Sequence, residues 1–403
     1  MPALSKRAFE VPPSPIRKLV PYANQAKAQG KKVLHLNIGQ PDLPTPVPFW
    51  EAIHRADIRV LDYTESGGMP AFREAYARFY NEIYRIPLEA HHFLATTGGS
   101  EALLFAFLTL LAPGDEVLVI DPTYANYIGL SYATGIQLRA VESYITDDFA
   151  LPAPATIEAA LTERTRAILL CNPSNPTGKL YSETEVRAIG SLCKKYNLWL
   201  ISDEAYRDYC YDGQRFFSAL ELQDEKDYVV VIDTLSKRYS ACGARIGALI
   251  SWNTDILQAA LKWAQARLAP PTLSQIGGMA LLSLPAEHYT YVRETFQRRR
   301  DVLMEGLRSI AGVTCASSQG AFYLMPELPI NDSDEFAKWM LECFDVHNTT
   351  VMVAPGSGFF TQPQKGKKLV RIAYVLEESQ LVRAVEILRA GLNIYNREHT
   401  AVF

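Results

Sequence analysis

Apolar runs of strand length recur along the middle of the chain and alternate with segments whose apolar residues have helical spacing. The runs "RAILLC", "LWLIS" and "VVVI" are continuous rather than alternating. Continuous aliphatic and β-branched runs are typical of strands that are covered on both faces of a parallel sheet. The alternation extends from about residue 49 to residue 284 and predicts an α/β domain built on such a sheet.

The pattern changes after this alternation. A long segment from His288 to Ser309, rich in Arg and Glu with spaced apolar residues, predicts a connecting helix. Shorter apolar runs around Phe322 and Arg371, followed by an amphipathic stretch, predict strands and a final helix. A chain of 403 residues also exceeds one compact core, so we expect a second, smaller domain here.

The run "VVVID" ends in side chains that carry chemistry. Thr234, Ser236 and Lys237 follow it, and Arg245 lies eight residues after the lysine. The ends of parallel strands form the ligand-binding edge of an open α/β sheet. A buried amine near another cation reaches its neutral, nucleophilic form near neutral pH, so Lys237 is a candidate Schiff-base lysine. Taken alone, this Lys-Arg spacing is also common on ordinary surfaces.

Two further runs end in polar residues. Asp203 and Tyr206 follow "LWLIS". If the cofactor is pyridoxal phosphate, Asp203 would keep the pyridine nitrogen protonated and Tyr206 would donate to the ring oxygen. The alternatives are a helix cap or loop acid for Asp203 and a half-buried packing role for Tyr206. After "RAILLC", Asn175 offers an amide to a ring oxygen and a carboxylate, although an Asn-Pro turn is also simply a turn.

The segments that contain these residues resemble the signature segments of the class I and II aminotransferases, the fold-type I pyridoxal-phosphate enzymes. The matching segments are "LNIGQPD", "DYTESGGMPAFREA", "TTGGSEAL", "DPTYANY", "NPSNPTG", "SDEAY", "SKRYSACGARIG", "GAFYL", "APGSGF" and "VRIAY". The resemblance implies an aspartate-aminotransferase-like fold, with a mostly parallel seven-stranded sheet in a large domain and a smaller α/β domain. It implies an arm and part of the small domain in 1–48, the large cofactor-binding domain in 49–284, and the small C-terminal domain in 285–403.

The resemblance also implies roles for individual residues. Lys237 would join pyridoxal 5'-phosphate as a Schiff base and then move the α-proton of the substrate. Asp203 would pair with the pyridine nitrogen, and Asn175 and Tyr206 would bind the ring oxygen. Tyr124 would stack on the ring face; without the family it is a lid or core aromatic. The expected catalytic residues are therefore Lys237, Asp203 and Tyr206.

A phosphate site is implied where "GGSEAL" begins a helix, because unpaired amides and the helix dipole favour an anion there. The alternative is a plain helix N-terminus with Ser100 as its cap. Tyr63 would reach the phosphate from the other subunit of a homodimer. The residues implied at this end of the cofactor are Gly99, Ser100, Glu101, Thr234, Ser236, Arg245 and Tyr63.

The substrate carboxylate has its own implied partners. Arg371 would clamp it through the two parallel bonds that guanidinium geometry allows, and Asn175 would bind it as well. An arginine inside an apolar strand is costly unless paired, which argues independently for a buried anionic partner. Gly39 has no side chain and would bring a main-chain amide close to the same carboxylate.

These roles imply a ping-pong transaminase that moves the amino group of an L-amino acid to a 2-oxo acid, with 2-oxoglutarate as acceptor by resemblance only. Two alternatives stay open. One is a carbon-sulfur β-lyase or aminocyclopropane-carboxylate-synthase-like enzyme, which uses the same cofactor. The other is a non-catalytic binding module on the same fold.

The donor also stays open among aspartate, aromatic and aliphatic amino acids. Ser100 stands where the bacterial aspartate branch often has a lysine for a distal carboxylate, and this weakens an aspartate assignment. Arg267 is a candidate for that carboxylate, or else it forms a surface salt bridge. Four aromatic residues could line an aromatic or aliphatic side-chain site: Tyr22, Tyr127, Phe322 and Phe359.

Composition argues against several other classes of function. The 40 Lys and Arg residues are balanced by 44 Asp and Glu residues, so no large basic surface for nucleic acid or membrane is indicated. No apolar stretch of about 18 residues predicts a spanning helix, and the N-terminus has no apolar signal segment. The six cysteines show no metal spacing or disulfide framework, so we expect no metal site and a cytoplasmic location.

Overall fold

The computed structural model describes residues 2–400. Its helices are α1 Lys6–Glu10, α2 Val20–Ala28, α3 Val47–Arg55, α4 Pro70–Phe79, α5 Gly99–Leu110, α6 Ala125–Thr134, α7 Pro154–Ala159, α8 Glu183–Tyr196, α9 Thr254–Arg267, α10 Thr272–Leu282, α11 Ala286–Arg308, α12 Ser333–Glu342 and α13 Glu378–Thr400. Its strands are β1 Lys32–His35, β2 Phe93–Thr96, β3 Glu116–Asp121, β4 Gln137–Glu142, β5 Thr165–Cys171, β6 Trp199–Asp203, β7 Val229–Thr234, β8 Gly247–Ile250, β9 Tyr323–Leu324, β10 Thr349–Met352, β11 Ala354–Pro355 and β12 Val370–Ala373.

A seven-stranded sheet in the order β2-β8-β7-β6-β5-β3-β4 lies at the centre of the fold. In this order, each adjacent pair from β7 through β6, β5 and β3 to β4 is parallel, and β8 runs antiparallel to both β7 and β2. The expected mostly parallel sheet is confirmed. Every residue of β3 and β7 is buried, which explains why their sequences are continuous apolar runs.

Helices cover both faces of this sheet. Successive residues of β7 alternate between two apolar clusters: Val229 and Val231 join the cluster that includes α4, α8 and α10, whereas Val230 and Ile232 join the cluster that includes α5 and α9. This alternation follows from the period of two in a strand. The two clusters bury the sheet on both sides, so its polar chemistry is confined to the strand ends.

The strand ends that carry this chemistry meet at one edge of the sheet. The N-terminal residue of β8, Gly247, pairs with Thr96 on one side and Thr234 on the other. Cys171 and Asp203 are paired at the ends of β5 and β6. The start of α5, which follows β2, therefore lies beside the end of β7.

A second layer contains the N- and C-terminal elements. β1 pairs in parallel with β10, and β12 lies between β11 and β9. One large apolar cluster joins β1, β9, β10 and β12 to α11, α12 and α13. The predicted connecting helix begins two residues earlier than expected, at Ala286, and the predicted final helix is α13.

Three properties hold within residues 2–400. The helices there lack the length and apolarity needed to cross a membrane. The six cysteines are free thiols. Clusters of His, Cys, Asp and Glu that could hold a metal ion do not occur in this part of the chain.

Candidate active site

Lys237 lies in the turn that follows β7 and is partly buried. Its Nζ donates to the carbonyl oxygen of Gly39 at 2.8 Å and lies 3.8 Å from the thiol of Cys242. Burial lowers the pKa of Lys237; Cys242 opposes this effect, and the positive charge of Arg371 adds to it. The site therefore favours the neutral amine more than water does.

Asp203 is the last residue of β6 and only 5% exposed. The two alternative interpretations of this residue, a helix cap and a loop acid, are therefore wrong. Its carboxylate accepts from Tyr127 Oη at 2.7 Å and from the Ala205 amide at 3.2 Å. Burial raises the pKa of Asp203, whereas the Tyr127 bond and the charge of Lys237 lower it. A protonated nitrogen beside this carboxylate would favour its ionised form.

Tyr206 and Tyr124 are the aromatic residues expected around the cofactor. Tyr206 is 5% exposed and so is more buried than the alternative of a half-buried packing residue predicts. Its ring centroid lies 5.9 Å from Lys237 Nζ. Its hydroxyl lies 2.8 Å from the hydroxyl of Tyr323. Tyr124 precedes α6 and meets the Tyr127 ring edge-on at 5.3 Å. The Tyr206 ring thus lies near Lys237, and the Tyr124 ring lies against Tyr127, which donates to Asp203.

Arg371 is a buried cation in β12, 1% exposed. Its Nη1 donates to Asn175 Oδ1 at 3.0 Å and its Nη2 to the carbonyl oxygen of Asn37 at 2.7 Å. Its guanidinium lies over two aromatic rings, 4.4 Å from the centroid of Tyr323 and 4.8 Å from that of Phe359. Its buried Nε has no hydrogen-bond partner, a cost that an anionic ligand would remove.

The start of α5 forms a second, more open part of the site. The residue before the helix is Gly98, with a φ of 74°, so Ser100 lies inside the first turn and the alternative that it caps the helix is wrong. A Cβ at Gly98 would come within 2.7 Å of the Arg245 guanidinium, so only glycine allows this approach. The amides of Gly99 and Ser100 belong to the first turn, where amides lack intrahelical acceptors.

The hydroxyls at the end of β7 face the same helix start. Thr234 Oγ1 lies 2.8 Å from Ser236 Oγ and 3.2 Å from the carbonyl oxygen of Ile246. A Cβ built on Gly99 would lie 3.7 Å from Thr234 Cβ, an ordinary contact distance. Hydroxyls, helix amides and the Arg245 guanidinium together form a donor set suited to a phosphate.

Two other predicted residues have different surroundings from those expected of direct ligands. Tyr63 is 80% exposed. Arg267 is largely buried and forms an ion pair with Glu101 at 3.0 Å, and it also donates to the carbonyl oxygen of Ser66 at 2.9 Å. Glu101 in turn accepts from the Thr97 amide at 2.7 Å. Arg267 thus stabilises the start of α5. Its proposed binding of a distal substrate carboxylate stays a prediction.

The structure adds two residues that sequence reasoning did not place. Tyr127 appeared only as a possible pocket aromatic, although its position three residues after Tyr124 puts both near one turn of α6. Tyr323 was part of the matching segment "GAFYL", but no role was drawn for it. Its contacts with Tyr206 and Arg371 depend on tertiary packing, and no local pattern signals them.

Comparisons with known proteins agree with this geometry. Residues 31–388 match the family described as aminotransferase class I and II. The chain is 31% identical to an aspartate aminotransferase of Bacillus subtilis, over 96% of this chain and 98% of that protein. It superposes on an alanine aminotransferase from Pyrococcus furiosus with a TM-score of 0.88 at 30% identity, covering 97% of this chain and all of the other. An aspartate aminotransferase from Thermus thermophilus, solved with maleate, gives 0.87 at 28% identity, over 97% and 100% of the two chains.

The chain therefore belongs to the class I and II aminotransferases, a pyridoxal-phosphate-dependent family. The expected transaminase class is confirmed. The named relatives and neighbours include both aspartate and alanine aminotransferases, so likeness alone leaves the side chain of the donor open.

Proposed function

We propose that this transaminase binds pyridoxal 5'-phosphate and moves the amino group of an L-amino acid to a 2-oxo acid, with 2-oxoglutarate as the expected acceptor. The observation that supports this most is the meeting of three charged or ionisable groups where β12 approaches the strand ends of the seven-stranded sheet. Lys237 has a lowered pKa, Asp203 is a buried carboxylate, and Arg371 has an unpartnered buried Nε. An amine, an acid and a carboxylate clamp are the groups that amino-group transfer requires.

The donor set fits the proposed cofactor. Lys237 would hold it through Nζ, Asp203 would face the ring nitrogen, and Tyr206 and Asn175 would face the ring oxygen. The residues proposed around its phosphate are Gly99, Ser100, Glu101, Thr234, Ser236 and Arg245, with Tyr124 against the ring face. When bound, pyridoxal phosphate supplies an aldehyde that condenses with amines and a ring that accepts the electron pair left at the substrate Cα.

The remaining steps belong to the side chains. Arg371 binds the α-carboxylate of the amino acid and thereby orients the Cα–H bond, with Asn175 and the backbone at Gly39 alongside. Once the substrate amine has displaced it from the aldehyde carbon, the free Lys237 Nζ would remove the proton from Cα as general base and deliver it to that cofactor carbon as general acid. A lowered pKa suits both directions, because proton transfer is most efficient when the pKa of the catalyst lies near the working pH.

We propose that the protein works as a homodimer with shared sites. Exposed apolar side chains are concentrated near Tyr63: Val47, Trp50, Val60, Leu61 and Leu273. They belong to one surface, because α10 packs on α3 and Thr272 Oγ1 donates to the carbonyl oxygen of Asp62 at 3.2 Å. A second copy would remove this patch from water and bring its Tyr63 toward the phosphate end.

We also propose a cytoplasmic location. The six thiols of the described chain are free, and Cys193, Cys210 and Cys315 are buried. Free thiols persist in a reducing compartment.

The central test replaces the amine. Lys237→Ala should abolish both the absorbance of the Schiff base and amino transfer, because Lys237 Nζ is the amine proposed to hold the aldehyde. Lys226→Ala, at an exposed lysine, serves as the control and should keep both. Turnover by the Lys237→Ala variant would contradict the proposal.

A substrate panel identifies the reaction and the donor. The purified enzyme is incubated with aspartate, alanine, tyrosine, leucine and cysteine, each without an acceptor and with 2-oxoglutarate or pyruvate as competing acceptor. We expect amino transfer that requires an acceptor. Pyruvate and ammonia formed without an acceptor would instead identify a β-lyase.

A further inference from the structure

Tyr323 connects two parts of the site that the proposed function treats separately. It begins β9 and is 1% exposed. Its hydroxyl is 2.8 Å from Tyr206 Oη, while its ring centroid is 4.4 Å from the Arg371 guanidinium. One side chain therefore touches both the proposed donor to the cofactor ring oxygen and the proposed carboxylate clamp.

We propose that Tyr323 is a positioning residue: its hydroxyl directs the Tyr206 proton toward the cofactor ring oxygen, and its ring holds the Arg371 guanidinium in the plane that receives the substrate carboxylate. This inference rests on the proposed function. It adds that Tyr206, Tyr323 and Arg371 together connect the hydrogen bond to the cofactor ring oxygen with the binding of the substrate carboxylate.

Each of the two hydroxyls carries a single hydrogen. In a contact between two hydroxyls, one donates and the other accepts. If Tyr206 donates to an anionic ring oxygen, it cannot also donate to Tyr323, so Tyr323 must donate to Tyr206. Donors in series polarise one another and strengthen the final bond. Burial raises the pKa of both phenols, so both keep their protons at neutral pH.

The space around this hydroxyl is made by a glycine. A Cβ on Gly39 would overlap the Tyr323 hydroxyl, and the carbonyl oxygen of Gly39 is the acceptor for Lys237 Nζ. The hydroxyl of Tyr323 thus lies against the segment that holds the catalytic amine. Its position is determined on one side by Tyr206 and on the other by the backbone at Gly39.

The ring has a separate role. The Arg371 guanidinium contacts the Tyr323 ring and the Phe359 ring, and two of its nitrogens donate to Asn175 and Asn37. Stacking on aromatic faces restricts the rotation of a guanidinium. Phenylalanine at position 323 keeps this stacking and loses only the hydroxyl, so the two roles can be tested independently.

The hydroxyl is tested in holoenzymes of wild type, Tyr323→Phe, Tyr206→Phe and the double variant, by titrating the visible absorbance of bound cofactor with pH. Hydrogen-bond donors stabilise the deprotonated form of the group that they face. Tyr323→Phe should therefore move the midpoint to higher pH by about 0.5. Tyr206→Phe should move it further, and the double variant should match Tyr206→Phe alone, because Tyr323 acts through Tyr206.

Tyr289→Phe is the matched control, because its hydroxyl also lies 2.8 Å from another buried hydroxyl, that of Tyr239, outside the proposed site. It should leave the midpoint unchanged. An unchanged midpoint in Tyr323→Phe, or a shift that adds to that of Tyr206→Phe, would overturn the role of the hydroxyl. Absence of the visible band in wild type would instead refute the proposed function.

The ring is tested by kinetics. Tyr323→Phe should leave KM for the amino acid within about twofold, whereas Tyr323→Leu should raise it about tenfold, the size of a desolvated cation–π contact. Equal KM values for the two variants would overturn the role of the ring. If the leucine variant fails to fold, Tyr323→Trp, which retains an aromatic face, should still keep KM closer to wild type than Tyr323→Ala does.

Discussion

The two ends of the proposed cofactor site differ in how far one chain completes them. At the ring end, Asp203 and Arg371 are buried and hydrogen-bonded to side chains of the same chain. At the phosphate end, Thr234 and Ser236 are buried, but Ser100 and Arg245 are exposed and Tyr63 is 80% exposed. The ring end can therefore perturb pKa values by burial, whereas the phosphate end binds by charge and backbone donors that face solvent.

This difference indicates that the ring end would serve catalysis and the phosphate end would serve cofactor binding. Proton transfer and electron withdrawal depend on tuned ionisation, which requires a low dielectric. Phosphate binding needs no tuned proton and tolerates water, so it can be left open for a second subunit to complete. Mutations at the ring end should thus change rate and pH dependence, and mutations at the phosphate end should change cofactor affinity.

The largest effect is expected from Asp203→Asn. Asparagine keeps the shape and the acceptor for Tyr127, but it removes the charge that would favour a protonated ring nitrogen. We expect kcat to fall about 1000-fold with little loss of cofactor, because an electrostatic contribution to the transition state is lost. Steady-state kinetics and absorbance measure the two quantities, with exposed Asp224→Asn as control. A larger effect on cofactor retention than on kcat would break the distinction between the two ends.

A smaller effect at the same end is expected from Tyr127→Phe. Burial raises the pKa of Asp203, and the bond from Tyr127 lowers it. Loss of that bond therefore raises the pKa further, so Asp203 becomes protonated at a higher pH. We expect the acid limb of kcat/KM to move to higher pH and kcat/KM at neutral pH to fall about tenfold. The pH profile tests this, and an unmoved acid limb would show that Tyr127 only packs.

The smallest effect is expected at the open end, from Tyr63→Phe. Loss of one hydroxyl toward a solvent-facing phosphate should weaken cofactor binding about fivefold and leave kcat nearly unchanged. Cofactor titration of the apoenzyme measures the affinity, with Tyr291→Phe, another exposed tyrosine, as control.

A mixing experiment sharpens this prediction. If Tyr63 acts across subunits, mixed dimers of Tyr63→Ala and Lys237→Ala contain one site that carries neither change. At a cofactor concentration too low to saturate the Tyr63→Ala dimer, activity should then rise when the two variants exchange subunits, because the unchanged site binds cofactor more tightly. Mixing without any recovery would place Tyr63 outside a shared site.

Motifs made much of the site predictable. Lys237, Asp203 and Asn175 each follow a continuous apolar run, and parallel strands bring such ends to one edge whatever the details of packing. Arg371 stood out for a related reason, since a cation inside an apolar strand requires a partner. The local pattern was a poor guide at the start of α5. Serine is a residue type that often caps helices, so Ser100 was a candidate cap, but Gly98 occupies that position. The close approach of Arg245 requires a residue without a side chain there.

By itself, the sequence determined the α/β class, the strand ends that carry chemistry and the order in which they occur, because these depend on periodicity and short spacing. Only the tertiary structure decided which groups orient them. Tyr127 is 76 residues from Asp203, Tyr323 is 117 residues from Tyr206, and Glu101 is 166 residues from Arg267. Contacts of this range are set by how the elements pack together, and no local pattern of residues encodes them.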